Sequence, residues 1–223
     1  MIAFADIQDR ILPMRTDKFP REGQLAFQVA ARRLCKETFA LQEVAEFTMP
    51  ANTVYMDPYV PATDYKDSLY IFKAEYQKPD LTWAPLRILN EVQLEDTTRH
   101  AFNSPGLMKA YTSQNGKFYP NRPPAIDTQV RGVIAYVPLG DFDEIDFPVE
   151  FEDALVQGAL SHLMRHPGKD KDLKMAEVCE AAFLAMASGF RGSTLIGDVG
   201  YARASRKVNR HRQGFLHQDT LRY

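Results

Sequence analysis

Cysteine, tryptophan and net charge are all scarce in this chain, and each scarcity narrows what it can be. There are two cysteines, Cys35 and Cys179, and one tryptophan in 223 residues. The two thiols lie far apart and each falls within a helical pattern. They read as small buried hydrophobes of a protein made in the cytosol, not as a disulfide. The formal net charge is −2, so no bulk affinity for nucleic acid is expected. No apolar run approaches the roughly 20 residues needed to cross a bilayer. The opening, Met-Ile-Ala-Phe-Ala-Asp-Ile-Gln-Asp-Arg, has no basic stretch leading into an apolar one, so no secretory signal is expected. No internal repeat is visible.

What is present is a chain that changes character along its length. Hydrophobic residues make up 45%, enough to bury a core in one domain, or one domain with a large insertion. Residues 1–43 look helical. Asp6 to Leu12 is a short helix stopped at Pro13. Glu22 to Glu43 carries Phe27, Ala30, Ala31, Leu34, Thr38 and Leu41 along one helical face. Residues 44–140 are rich in proline and lose that period. Short β-favouring runs stand between the prolines: 46–48, 53–56, 68–76, 86–89, 107–112, 116–119 and 128–137. Asn115-Gly116 marks a hairpin, because both residues accept the positive φ of a tight turn. The segment is expected to be a small antiparallel sheet or sandwich.

Helix returns near residue 149, with Ala154, Leu155, Gly158, Ala159, His162 and Leu163 on one face. Gly158 costs helix propensity, which implies close backbone packing. Pro167-Gly168 stops this helix, and Asp170 is the expected N-cap of the next. Its face runs through Leu173, Ala176, Cys179 or Glu180, Phe183, Met186 or Ala187, and Phe190, and Gly189 and Gly192 are expected to end it. The reading is α+β: N- and C-terminal helices (1–43 and 141–192) forming a bundle around an inserted antiparallel β domain (44–140), then an extended C-terminal arm (193–223).

No residues are spaced for catalysis. His162 and His166 have the spacing of a helical ligand pair, but Leu163 stands where a zinc protease places Glu, and metal sites need more ligands. They read as a helix-end pair. Asp141, Asp143, Glu144 and Asp146 lack the central glycine and terminal Glu of a calcium loop, and read as a solvated connector. The glycine-bearing run 192–200 matches neither a phosphate loop nor a dinucleotide fingerprint. The basic stretch with Arg203, Arg206, Lys207, Arg210 and Arg212 admits three readings. It is a solvated end, a phosphate-touching segment, or an arm that orders on a partner. Phe215 and Tyr223 raise the third, since aromatics anchor interfaces.

Three segments carry a family likeness. Asp-Ile-Gln-Asp-Arg-Ile-Leu-Pro at 6–13 and Ala-Phe-Gln-Val-Ala-Ala-Arg-Arg-Leu-Cys-Lys-Glu-Thr at 26–38 resemble the opening of tailed-phage head-to-tail adaptor proteins, also called connector or upper tail-tube proteins. Phe-Pro-Val-Glu-Phe-Glu-Asp-Ala-Leu-Val-Gln-Gly-Ala-Leu-Ser-His-Leu-Met-Arg-His-Pro-Gly-Lys-Asp at 147–170 is similar to that family's second landmark, a Gly-Ala-Leu-rich helix ending in a Pro-Gly-Lys turn. The likeness covers both helical ends, and the β middle matches in character alone.

The resemblance implies a helical bundle with an inserted β domain and a ring of many copies, usually twelve, below the portal. It implies DNA leaving the head through the lumen and a tail or nozzle protein docked beneath. It implies no catalytic residue, no metal and no cofactor, with a virion location after synthesis in the host cytoplasm and no membrane partner. Arg203, Arg206, Lys207, Arg210, Arg212, Phe215 and Tyr223 would form the arm that reaches the portal or a neighbour. Asp141, Asp143, Glu144 and Asp146 would face the lumen. The alternatives are a head-completion or tail-terminator protein of the same particle, or a small metal-dependent hydrolase built on His162, His166 and the acidic cluster.

Overall fold

The computed structural model describes residues 1–14, 20–59, 61–89, 105–168 and 171–193. Helix α1 spans Phe4–Ile11 and buries Phe4, Ile7 and Ile11 along one side. The Ala3 N–H at its start donates to the Asp6 carboxylate at 2.9 Å, supplying an otherwise missing partner. Pro13 falls in a 3-10 turn, Leu12–Met14, which closes the helix.

Helix α2 spans Pro20–Thr38, shorter than the period of its apolar residues predicts. It stops because Phe39 takes a left-handed φ of 54° while its N–H still bonds the Cys35 carbonyl at 2.8 Å. A phenylalanine in that conformation is costly. Its ring packs 6.0 Å from Tyr70 and 6.1 Å from Phe72, which compensates. Leu41 is buried as predicted, but from the connection beyond the helix.

The sheet begins at once. Strands β2 (Gln42–Met49), β3 (Lys66–Gln77), β4 (Trp83–Pro85) and β8 (Thr128–Pro138) form one antiparallel sheet in the order β2-β8-β3-β4. A short helix, α3 (Pro61–Asp64), leads into β3. Strand β8 lies between two neighbours, as its apolar run predicts. Gly132 on β8 is required there: a Cβ would stand 2.7 Å from the Lys73 carbonyl oxygen, where the β3–β8 register slips between Ile71 and Lys73.

A second sheet holds β5 (Arg87–Ile88), β6 (Ala110–Gln114) and β7 (Lys117–Pro120). Its β5–β6 pairing is parallel, which corrects the wholly antiparallel expectation. The segment 53–56 is also not a strand; Met56 makes a single bridge to Phe118. The β6–β7 hairpin turns at Asn115 and Gly116, with φ of 49° and 77°. A side chain at Gly116 would collide with the Ser68 carbonyl, whose own hydroxyl donates to the Gly116 carbonyl at 2.6 Å. The turn is thereby seated on β3. Between the sheets Phe47, Ile71, Tyr111, Phe118, Val130 and Ile134 form one apolar cluster.

The chain then returns to helix. A two-residue pairing of β1 (Ile2–Ala3) with β9 (Glu144–Ile145) ties the start of the chain to the exit from β8. A 3-10 turn, Val149–Phe151, leads into α4 (Glu152–Arg165), followed by α5 (Leu173–Ser193). The cap of α5 is Asp172, whose carboxylate accepts the Met175 N–H at 3.0 Å; the predicted cap, Asp170, lies outside the described residues. Gly189 does not end α5, which continues to Ser193. Leu173, placed by its period on the inner face, is exposed in the first turn.

Helices α1, α2, α4 and α5 share a second apolar cluster containing Ile7, Phe27, Leu34, Phe151, Leu155, Leu163 and Phe183. The helices approach closely at Gly158, where a Cβ would lie 2.9 Å from both Ala30 Cβ and Phe183 Cδ2. The class is α+β, with Tyr136 of β8 packed against both clusters. Gly158→Val should overfill this contact and destabilise the chain by about 1–3 kcal/mol. A urea midpoint that does not fall on substitution would show that the helices have room to spare.

Candidate functional site

Two surfaces combine charge with defined geometry. The first follows β8. Arg32, midway along α2, donates to three successive carbonyls at the strand's end: Pro138 at 3.0 Å, Leu139 at 2.9 Å and Gly140 at 2.8 Å. Its guanidinium also lies 5.6 Å from the Phe142 ring centroid. Arginine suits this role because its planar fork carries several donors at fixed angles. The connector that follows is anchored by its apolar residues. Phe142 packs edge-on to Phe27 at 5.9 Å, and Ile145 and Phe147 are buried.

The four acids interspersed with those anchors, Asp141, Asp143, Glu144 and Asp146, are exposed. They are not a loose loop. The Asp143 carbonyl accepts the Phe4 N–H at 2.7 Å, and its carboxylate accepts from the Gln24 side-chain amide. Glu144 pairs with Ala3 in the β1–β9 ladder. The Met1 ammonium stands 3.8 Å from the Asp146 carboxylate. The structure therefore presents these acids on one ordered, water-facing segment, with their backbone tied to the first residues of the chain.

The second surface lies where α2, α4 and α5 meet. Glu180 on α5 receives both arms of Arg33 on α2, and accepts the Ser161 hydroxyl of α4 at 2.8 Å. Arg165 approaches the same carboxylate at 3.6 Å. The Arg33 guanidinium is 4.7 Å from the Phe183 ring centroid. Hydrogen bonds from Arg33 are the largest influence on Glu180 and hold its carboxyl below the ordinary range, against the opposing effect of burial.

Beside this cluster, His162 and His166 meet, their Nε2 atoms 2.9 Å apart. Burial, then the neighbouring His166, Arg33 and Arg165, lower the His162 pKa. Among the described residues no group of three or more His, Cys, Asp or Glu is arranged to hold a metal ion.

The remaining candidates divide simply. Cys35 and Cys179 are buried thiols without a disulfide. Burial pushes Cys35 up to about 12, and raises Cys179, so neither is poised as a nucleophile. Arg203, Arg206, Lys207, Arg210, Arg212, Phe215 and Tyr223 lie outside the described residues, as do His100, His211, His217 and the run 194–200. Sequence reasoning missed Arg32, Arg33 and Glu180. Nothing in the spacing of the two arginines names the carbonyls or the carboxylate they reach.

One further surface is apolar. Along α5, Met175, Val178, Ala181, Ala185 and Gly189 are exposed at helical spacing, opposite the buried Cys179, Phe183 and Ala187. Compared with known proteins, the chain matches no protein-family model and no characterised protein.

The Glu180 cluster sets a pH dependence. A carboxyl depressed in the folded state adds stability that is complete above its unfolded pKa, about 4.3, and lost as pH falls through the lower folded value. Glu180→Gln removes that contribution. The urea midpoint of the parent chain should drop more steeply than that of E180Q between about pH 5 and pH 3. Parallel profiles would mean that Arg33 does not hold the carboxylate.

Proposed function

We propose that this chain is a structural virion protein: a ring-forming head-to-tail adaptor that sits below the portal, joins capsid to tail and gives DNA a channel for ejection. One observation carries the reading. The segments that resemble the adaptor family, 6–13, 26–38 and 147–170, are separated by the whole β region, yet they pack on one another. Ile7, Phe27, Leu34, Leu155 and Leu163 share one apolar cluster, and Ala30 of the second segment packs against Gly158 of the third. A resemblance scattered over unrelated surfaces would carry less weight than one that reunites in a single core.

The exposed apolar side of α5 supports the same reading. It offers small and flexible side chains, Val178, Ala181, Ala185 and Met175, to a neighbouring subunit. The C-terminal residues that follow α5 supply the portal-binding arm, with Arg203, Arg206, Lys207, Arg210 and Arg212 as its cations and Phe215 and Tyr223 as apolar anchors. Asp141, Asp143, Glu144 and Asp146 line the lumen. There, like charge keeps passing DNA from sticking. The function rests on binding surfaces and names no catalytic residue, metal or cofactor.

Images of the purified chain mixed with its portal test the ring directly. A ring seated elsewhere in the particle would favour a head-completion or tail-terminator protein. Deleting residues 201–223 should abolish portal attachment while leaving the melting temperature of the remainder near that of the full chain. Retained attachment would contradict the role given to the arm. Replacing Asp141, Asp143 and Asp146 by Asn and Glu144 by Gln should slow or stall genome release. These isosteric changes keep the Phe4–Asp143 backbone bond and the β1–β9 ladder, so a release defect would report charge. Unchanged release kinetics would reject the lumen assignment.

A further inference from the structure

The histidine pair at the end of α4 has a geometry that the proposed function does not use. His162 lies in the last turn of the helix. His166 follows the helix end with an extended backbone, φ −67° and ψ 144°. Its ring folds back so that the two Nε2 atoms stand 2.9 Å apart. The ring centroids are 4.6 Å apart and the planes cross at 64°. His162 is half-buried and His166 exposed, so water and ions reach the pair from one side.

At that separation the two nitrogens share one proton, one donating and the other accepting. The same separation has a second meaning. With a metal–imidazole bond of about 2.0–2.1 Å, two donors at a right angle around one ion are about 2.9 Å apart, while tetrahedral donors are about 3.3–3.4 Å apart. The hydrogen-bonded spacing already brings both donors within chelating reach of one ion, at a separation that a right-angled donor pair accepts without moving the helix. Square-planar and tetragonal sites with nitrogen and oxygen donors select Cu²⁺ or Ni²⁺, and Cu²⁺ binds most tightly of the divalent first-row series.

We propose that His162 and His166 form a bidentate chelate for a tetragonal divalent transition-metal ion, Cu²⁺ before Ni²⁺, with water completing the plane. On binding, the donating ring exchanges its Nε2–H for an Nδ1–H through solvent, so both rings stay neutral and both Nε2 lone pairs turn to the metal. No oxidation state changes. The two ligands come from α4 and the residue just beyond its end, so the ion clips the last helical turn to the corner before α5.

The surrounding charges set the strength. Arg33 of α2 and Arg165 of α4 stand near His162 and oppose a dication. Glu180 of α5 offsets one of these two charges, holding Arg33 through two bonds and standing 3.6 Å from Arg165. A net positive charge stays beside the two imidazoles, so the site is accessible but of modest affinity.

The test uses the full chain without a histidine tag, titrated with copper sulfate and read by electron paramagnetic resonance and calorimetry. One Cu²⁺ per chain should bind with an axial spectrum and splitting from two imidazole nitrogens. His166→Gln should weaken binding by about tenfold or more, and H162Q/H166Q should remove the two-nitrogen signal. The variant H100Q/H211Q/H217Q should keep it. Since the His166 side chain is exposed, circular dichroism of H166Q should match the parent, which separates lost ligation from lost fold. The assignment is overturned if H162Q/H166Q binds copper with the parent's affinity and spectrum. It is equally overturned if the full chain gives no two-nitrogen signal, or if the H100Q/H211Q/H217Q chain loses it.

Discussion

The structure depends on a contact at which one helix presents no side chain at all. At Gly158 the backbone of α4 comes close enough that Ala30 of α2 and Phe183 of α5 occupy the space a Cβ would need. That proximity brings residues near the start of the chain against residues near its described end. It also fixes where the β region must leave and rejoin the helices. The sheet starts at Gln42, just past the end of α2, and β8 ends at Pro138, where Arg32 of the same helix receives it. One helix therefore sets both ends of the β region. Tyr136, packed against both apolar clusters, carries the connection between them.

Charge is used sparingly and locally. Arg32 donates to three successive carbonyls, Pro138 at the end of β8 and Leu139 and Gly140 just beyond it, and so ties the exit of the strand to α2. Arg33, one residue further on, points to a different neighbour and joins α2 to α5 through Glu180. Adjacent arginines on one helix thus serve separate junctions, because successive side chains diverge around the helix axis. The acids at 141–146 are presented, not buried, and their placement follows from the apolar residues alternating with them.

Much of this was legible in the sequence, for reasons that can be named. Helices α2, α4 and α5 announced themselves by the period of their apolar residues, and β3 and β8 by long runs of Tyr, Phe, Val and Ile. Asn115-Gly116 marked its turn because few other pairs accept that backbone. Gly158 was read as a close approach, and it is one. What was missed depends on distant neighbours. Nothing local says that α2 stops at Thr38, since Phe39 reverses the chain only because Tyr70 and Phe72 support its ring. Asp170 and Asp172 are equally good caps in sequence, and the fold uses Asp172. The parallel β5–β6 pairing joins strands too short to carry a pattern. The histidine pair was legible as a spacing but not as a distance: whether two rings meet depends on how the chain leaves the helix after Arg165.

The fate of the two sulfurs has a practical consequence. Cys35 and Cys179 lie inside the helical core, at 0% and 3% exposure, and the chain has no other cysteine. Air, peroxide or a crowd of identical molecules therefore meets a surface without thiols. A covalent bridge between two copies through sulfur would therefore require the helices to open first.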